Sequence, residues 1–355
     1  MSSKIRLGIN GFGRIGRLTT RILLAKFADQ VDIVAVNDLT DASNLAYLFK
    51  YDSTYRQFQG EVTVEGTDLV INGDRIKVLA EKDPSLLPWG QLGVDVVLEC
   101  TGRFLTRELA SLHLKGGAKA VLLSAPAKDA DILTVVQGVN IPTINQNELE
   151  ASSYIANDRF KSEQIISNAS CTTNCIAPAL KVLADELNLV QANAITIHAY
   201  TATQLLQDGP SQKEWRDGRA AAVNGIPSKT GAAKAVELVL PNLKGKVSLS
   251  ALRVPVVTGS MVYVVADFGR LITVEEVNNS LKKIATTVMK DVLEYGEDEY
   301  VSGDVIGNSH SCLVDSSLTK VLGNKAEITL WYDNEWGYSN RLAELMIQKA
   351  RVLTA

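Results

Sequence analysis

The run SNASCTTNC, residues 167–175, sets Cys171 and Cys175 four positions apart among short polar side chains. Such a pair could be a metal clip, half of a disulfide, two core thiols, or one nucleophile beside a bystander. Zinc requires about four ligands of suitable type. The sequence has no second close cysteine pair, and its histidines are scattered at His113, His198 and His310, so no metal is expected. A disulfide within one helical turn would be strained. Four cysteines in 355 residues do not make a disulfide scaffold, and reduced thiols in a cytoplasmic setting are expected. Two buried thiols remain the competing reading, because free cysteine packs as a small hydrophobe.

Position distinguishes the two cysteines. Cys171 follows the apolar run IISNAS and stands where a helix continuing through IAPALKVLADEL would begin. The free amides of a helix start stabilise a thiolate and lower the thiol pKa. Cys175 falls one turn further in and is expected to be buried. Pro178 conflicts with a regular helix here, so irregular first turns or a kink are expected. A nucleophilic cysteine needs a base. His198, closing NAITIHAY, is the best candidate, although a lone histidine at a strand end is more often structural. His113 and His310 read as surface or structural residues.

A second constellation lies near the N-terminus. GINGFGRIGR places Gly11, Gly13 and Gly16 as G-x-G-x-x-G between an apolar run and a helical one. The first glycine allows a tight turn, the second the approach of a pyrophosphate, and the third close helix–strand packing. The helix-start amides favour the phosphate charge. Asp38 closes VAVND about 20 residues past the last glycine, where a carboxylate accepts from ribose hydroxyls and repels a 2′-phosphate. This pattern predicts NAD rather than NADP.

The elements that must carry these residues are legible in outline. KIRLGIN, VDIVAVN, VDVVLEC, AVLLSAP and QIISNAS are apolar enough for strands buried on both faces. RIGRLTTRILLAKF and TRELASLHLKGG have helical spacing, the second ending in glycines that can stop a helix. This alternation predicts a doubly wound α/β sheet. One interruption, EVTVEGTDLVINGDRIKVLAE, reads as a small meander. NAITIHAY, VSLSALRVPV, GSMVYVVADF and AEITLWYD are longer strands, with a helix around TVEEVNNSLKKIATTV; they predict an α+β domain with a mostly antiparallel sheet. The run from Thr201 to Lys229 is long and irregular, as functional loops often are.

Composition narrows the function classes. A net charge of −4 without a long basic run argues against nucleic-acid binding. No apolar stretch approaches a membrane span, and MSSKIRLGIN enters a strand without a signal-peptide core. A chain of 355 residues is expected to form two domains.

INGFGRIGR, SNASCTTNC, HAYTATQ, TGAAKAV, RVPV and WYDNEWGYSNR occur here in the order found in phosphorylating glyceraldehyde-3-phosphate dehydrogenases. The chain resembles that family over nearly its whole length. The resemblance implies an NAD-binding Rossmann domain from residues 1–170 and 334–355, a catalytic domain over 171–333, and a homotetramer. It implies glyceraldehyde 3-phosphate and inorganic phosphate as substrates, Cys171 as nucleophile and His198 as base. Thr201, Thr203 and Arg253 match the positions holding the substrate's C3 phosphate; Ser170, Thr172, Thr230 and Gly231 match those around the attacking phosphate. A threonine-rich loop by itself reads only as turn chemistry. Asn10, Phe12, Arg14, Ile15, Leu39, Thr101 and Ser124 match cofactor contacts. Asn334 matches the residue fixing the nicotinamide carboxamide, with Tyr338 beside it, and Leu39 with Pro210 matches an NAD-preferring pair.

Some positions depart from the family pattern. Lys229 and Asp217 bring charges toward Thr230; Lys229 is expected to add positive charge at the attacking-phosphate site, and Asp217 to limit or orient it. Leu205 and Leu206 replace a more usual polar pair and are expected at a subunit contact. The span from Asn140 to Cys171 is longer than usual and polar, as in a surface excursion. Erythrose-4-phosphate dehydrogenase shares the cysteine motif but usually alters HAYTATQ and TGAAKA, both intact here. A catalytically idle paralogue acting as a binding protein is opposed by the presence of Cys171, His198, Thr201, Thr230 and Arg253.

Overall fold

A computed structural model describes residues 4–144, 158–212 and 214–354. Residues 145–157 of the polar excursion before Cys171 therefore lie outside the described residues. The chain divides into two compact units. The first holds the chain to Val135, the stretch ending at Ala169, and everything from Ser339; the second resumes at Val136 and takes Ser170–Tyr338.

The first unit is built on β1 (Ile5–Asn10), β2 (Val31–Asn37), β5 (Asp74–Leu79), β6 (Val96–Glu99), β7 (Ala120–Leu123) and β9 (Ile165–Ser167). They pair in parallel in the order β5-β2-β1-β6-β7-β9, with β8 (Leu133–Thr134) beyond β9. The chain moves outward from β1 on one side and returns to start at β6 on the other, so the switch point lies between β1 and β6. β3 (Val62–Glu65) and β4 (Asp68–Ile71) join β5 antiparallel as the expected meander. Every residue of β6 and β7 is buried, as strands covered on both faces must be.

The helices follow from local sequence. α1 (Arg14–Lys26) buries Leu18, Ile22 and Leu23. α2 (Ala42–Lys50), which the apolar periodicity did not disclose, starts where the Asp41 side chain accepts from the Asn44 amide at 3.0 Å. α3 (Arg107–Lys115) is capped by Thr106 and stops at Gly116, as its glycines predict. The short α4 (Asp158–Ser162) precedes β9.

The second unit carries α5 (Cys171–Leu187), β10 (Leu189–Ala199), β11 (Ile226–Ser228), α6 (Ala232–Val239), β12 (Val247–Val254), β13 (Ser260–Phe268), α7 (Val274–Ala285), β14 (Leu293–Gly296), β15 (Cys312–Leu322), β16 (Lys325–Tyr332) and the start of α8 (Trp336–Thr354). Its sheet runs β11-β12-β10-β13-β16-β15-β14. The β10–β12 and β14–β15 pairs are parallel and the other pairings antiparallel, so the sheet is mostly antiparallel, as expected. β13 alternates buried with half-buried residues, the signature of a sheet with one face on the core. α7 opens with a capping box between Thr273 and Glu276. α5 runs unbroken through Pro178 and ends on Asn188 in the left-handed region, so the expected irregular start does not occur. No helix among the described residues is long and apolar enough to cross a membrane.

Candidate active site

Cys171 is the first residue of α5, because Ser170, extended after the left-handed Ala169, caps the helix. The Ser170 hydroxyl accepts from the Thr173 amide at 3.0 Å. His198 is the penultimate residue of β10, and its Nε2 lies 3.4 Å from Cys171 Sγ. Side chains two apart along a strand share a face, and Thr196 and His198 use this to meet one partner, Tyr332. The Tyr332 hydroxyl lies 2.9 Å from Thr196 Oγ1 and 3.0 Å from Thr172 Oγ1, while its ring meets the His198 ring edge-on at 5.8 Å. Tyr332 therefore ties the helix start to the strand that carries the imidazole. Sequence reasoning missed it.

The register of the sheet brings in a cation. His198 is opposite Arg253 in the parallel β10–β12 pair. His198 Nδ1 lies 2.7 Å from the Ala199 carbonyl, and Arg253 Nη1 approaches both that oxygen, at 3.2 Å, and Nδ1 itself, at 2.5 Å. Nδ1 has one acceptor and one donor as neighbours and can satisfy only one of them. When it donates to Ala199, Nε2 presents its lone pair to the thiol, as a base must. Burial, with Arg253 adding to it, pushes the imidazole down to about 3, keeping it neutral.

The thiol behaves differently from the helix-start expectation. Burial raises the Cys171 pKa; Arg253 and the hydrogen bonds from Thr172 and the local amides oppose this without reversing it. Desolvation outweighs the helix start, and the resting pair is a neutral thiol facing a neutral imidazole. Cys175 is fully buried one turn further along, with Cys312 beside it, and burial pushes its thiol well up. It packs as a buried thiol.

The loop after β10 gathers hydroxyls. Thr201 and Thr203 lie 3.0 Å apart through their side-chain oxygens, and buried Gln204 bonds to both. Arg253 Nε is buried without a hydrogen-bond partner among the described residues. Before α6, the Thr230 hydroxyl accepts from the Ala232 amide at 3.2 Å, and Gly231 is the N-cap. The two charges expected near Thr230 sit otherwise. Lys229 is largely exposed and pairs with Glu214 at 2.9 Å, which offsets its charge, and Asp217 faces Gln204 and Ser228.

In the first unit, Asn10, Gly11, Gly13, Asp38, Leu39 and Thr101 line one cleft of about 680 Å³ at the carboxyl ends of β1, β2 and β6. Each motif glycine has its own reason. Gly11 has φ +91, and a Cβ there would sit 2.8 Å from the Thr101 amide nitrogen. A Cβ on Gly16 would lie 2.4 Å from the Gly11 carbonyl oxygen. A Cβ on Gly13 would meet nothing within 4 Å. No described residue requires glycine at 13, and the open space beside it leaves the approach to the α1 amides clear, which fits a dinucleotide pyrophosphate.

The other expected cofactor residues divide. The Phe12 amide donates to Asp38 Oδ2 at 2.8 Å, whereas its ring is buried against Phe49. Arg14 pairs with Asp52. Ile15 follows on α1, and the Ser124 amide donates to the Glu99 carbonyl at 3.0 Å. None of these four is among the residues lining the cleft. Asn334 and Tyr338 lie in the second unit, where Asn334 Oδ1 accepts from Ser260 Oγ at 2.8 Å.

Beneath the cleft lies a carboxylate that sequence reasoning missed. Glu99 ends β6 fully buried, with four donors on it. Asn10 Nδ2 at 2.6 Å and His113 Nε2 at 3.0 Å reach Oε2; the Thr101 amide at 2.7 Å and Thr101 Oγ1 at 2.5 Å reach Oε1. Trp89 Nε1 donates to His113 Nδ1 at 3.1 Å, placing the ring proton on Nε2. His113 is thus structural and not on the surface. Asn37 Nδ2 donates to Asn10 Oδ1 at 2.7 Å, so the ends of β1, β2 and β6 are stitched together. The available signal was a lone charge closing an otherwise apolar strand.

The family profile described as Glyceraldehyde 3-phosphate dehydrogenase, NAD binding domain, matches residues 5–107, and that described as the C-terminal domain matches residues 170–334. The chain is 49% identical over 349 residues to the glyceraldehyde-3-phosphate dehydrogenase of Mycolicibacterium smegmatis, covering 96% of this chain and 97% of that protein. The chain belongs to the glyceraldehyde-3-phosphate dehydrogenase family. The namesakes from Priestia megaterium and Mycobacterium tuberculosis strain H37Rv are each 48% identical, again over 96% of this chain and 97% of theirs. Family membership agrees with a Rossmann-type first unit that takes NAD and with the resemblance drawn from the motifs.

Proposed function

We propose that this chain oxidises glyceraldehyde 3-phosphate to 1,3-bisphosphoglycerate with NAD and inorganic phosphate. The observation that carries the proposal is Cys171 Sγ 3.4 Å from His198 Nε2 at the start of α5. The thiol passes its proton to Nε2 as sulfur forms a bond to the aldehyde carbon, and the imidazolium returns that proton to the new alkoxide, completing a hemithioacetal. His198 then holds the hydroxyl proton while that carbon loses hydride and becomes a thioester. NAD, when bound, supplies the hydride acceptor. Inorganic phosphate attacks the thioester, the carbon–sulfur bond breaks, and the acyl phosphate leaves with the thiolate restored. A neutral imidazole is the form that can take a proton, which is why burial of His198 serves the chemistry.

In this reading Thr201, Thr203 and Arg253 hold the C3 phosphate. Ser170, Thr172, Thr230 and Gly231 surround the attacking phosphate, Thr172 through its backbone because its hydroxyl faces Tyr332. Asn10, Gly11, Phe12, Gly13, Arg14, Ile15, Asp38, Leu39, Thr101 and Ser124 serve the cofactor, with Asn334 and Tyr338 at the nicotinamide end. The first unit works as the nucleotide domain and the second as the catalytic domain.

The protein assembles as a homotetramer and works in the cytoplasm. Support for a subunit contact comes from the loop between β10 and α6, where Leu206 is 72%, Trp215 88% and Val223 77% exposed in the single chain, with Leu205 at 37%. A stable, active monomer in light scattering would refute the assembly.

The test of function mixes the protein with NAD and either glyceraldehyde 3-phosphate or erythrose 4-phosphate, with and without phosphate. The expected result is a stoichiometric burst of reduced cofactor without phosphate and steady turnover with it, on the three-carbon substrate. Absence of both on that substrate rejects the proposal.

A further inference from the structure

Gln204 stands at the centre of the threonine loop, and its amide has two chemically unlike ends. Oε1 accepts from the Thr201 amide at 2.9 Å and from Thr201 Oγ1 at 3.2 Å. Nε2 donates to Thr203 Oγ1 at 2.9 Å and to Asp217 Oδ1 at 3.2 Å. Oxygen and nitrogen of an amide are nearly alike in shape, so the partners must decide which way it points. Thr203 offers a hydroxyl that can give or accept and decides nothing. Asp217 does decide, because a carboxylate only accepts and therefore requires the NH2 end. The Thr201 amide, which only donates, requires the oxygen at the opposite end. The carboxylate itself is placed by the loop backbone, since the Leu205 amide donates to the Asp217 carbonyl at 3.3 Å.

We infer that Asp217 is a positioning residue for the C3-phosphate site, acting through Gln204 on the hydroxyls of Thr201 and Thr203. The inference rests on the reading of Thr201, Thr203 and Arg253 as ligands of that phosphate. With Gln204 held in this orientation, a lone pair on Thr203 Oγ1 is filled by Nε2, and the Thr203 proton rests on Thr201 Oγ1 at 3.0 Å, from which an anion at the loop can draw it. The reversed amide would set Oε1 against Thr203, draw that proton inward, and turn a lone pair toward the anion. Asp217 also carries a negative charge, which by itself would disfavour a phosphate nearby. The two effects have opposite signs, and the experiment separates them.

The measurement is kcat and KM for glyceraldehyde 3-phosphate and for unphosphorylated glyceraldehyde in the full-length protein. Asp217→Asn keeps the shape, removes the charge, and lets the side chain either donate or accept. The expected result is a KM for the phosphorylated substrate raised about five- to tenfold, the worth of roughly one hydrogen bond. The kcat for that substrate and all constants for glyceraldehyde should be unchanged. Gln204→Glu, which accepts at both ends and faces Asp217, should raise the same KM further. A lowered KM in Asp217→Asn would mean that the carboxylate is only a repelling charge, and an unchanged KM that it does not position the loop; either overturns the inference. Arg253→Lys is the control for the reading beneath it. If that variant fails to raise the KM for the phosphorylated substrate selectively, the C3-phosphate assignment is wrong. If it does so while Asp217→Asn does not, only the role of Asp217 falls.

Discussion

The cofactor cleft and the thiol site place their polar groups in opposite ways. In the cleft, four donors converge on the Glu99 carboxylate, Asn37 and Asn10 close on each other, and two of the three motif glycines are dictated by backbone contacts. Buried polar groups with every partner in place rigidify their surroundings. At the thiol site, His198 Nδ1 faces a donor and an acceptor that it cannot serve together, Arg253 Nε is buried without a partner among the described residues, and burial opposes ionisation of Cys171. The cleft is a finished socket, whereas the thiol site stores electrostatic tension where charge must move. Such tension is characteristic of groups that change protonation during a reaction.

Breaking the thiol site should therefore cost activity and leave the fold intact. Cys171→Ser is expected to lower turnover at least about a thousandfold, with no burst, because a hydroxyl is a far weaker nucleophile beside the same base. His198→Asn should lower kcat by about 10²–10⁴, the usual worth of a general base. Near-normal turnover in either variant would remove the contrast between the regions. Cys175→Ser tests the division of the cysteine pair: its loss should appear in thermal stability, and a selective loss of the burst would contradict the role given to Cys171 alone.

The cleft should fail in two separable ways. Gly16→Ala places a Cβ against the Gly11 carbonyl, and a backbone atom there has to shift; about 1–3 kcal/mol of stability should be lost. Gly13→Ala meets no described residue, so its melting temperature should match wild type while the Kd for NAD rises at least about tenfold. Equal effects at both glycines would show that the open approach at Gly13 has no bearing on the cofactor. Glu99→Gln should sit between them. One amide face would turn N–H groups toward donors, costing about 1–3 kcal/mol and loosening Asn10 and Thr101 together. Unchanged stability and NAD affinity would mean that the network beneath the cleft is incidental.

Sequence disclosed what depends on local chemistry and concealed what depends on register. The G-x-G-x-x-G turn, the start of α5 at Cys171 and the glycine stop of α3 are set by neighbours in the chain, and they fall where the residue types put them. The approach of Arg253 to His198 comes from the pairing of β10 with β12, across fifty-five residues, which no local pattern encodes. Tyr332 was hidden for the same reason, since it meets Thr172 and Thr196 only when distant segments come together, and the contact of Gln204 with Asp217 likewise needs the loop to close. The helix-start argument placed Cys171 at the first position of α5 but gave the wrong net direction of its pKa, because burial cannot be weighed before the fold is known. Lys229 shows the same limit, as its partner Glu214 lies across the loop.

Stability against pH again contrasts the regions. His198 is held at about 3 in the folded chain, against an ordinary value near 6.5. A depressed histidine pKa means that the unfolded chain binds the proton first, so stability falls as pH drops through the window from 6.5 towards 3. Cys171 shifts the opposite way: its raised pKa makes the unfolded chain ionise first, so stability falls as pH rises past the ordinary thiol value. Asp52, whose pKa is lowered below its ordinary 3.8, contributes stability that is lost only further into acid, so measurements above about pH 4.5 avoid it. Unfolding free energies from urea titrations between about pH 6.5 and 4.5 should therefore decline less in His198→Asn than in wild type, by on the order of 2 kcal/mol across that span. Cys171→Ser should instead flatten the alkaline side. A His198→Asn profile parallel to wild type in acid would show that the imidazole is not desolvated as its surroundings require, and the contrast between a settled cleft and a tense thiol site would lose its electrostatic basis.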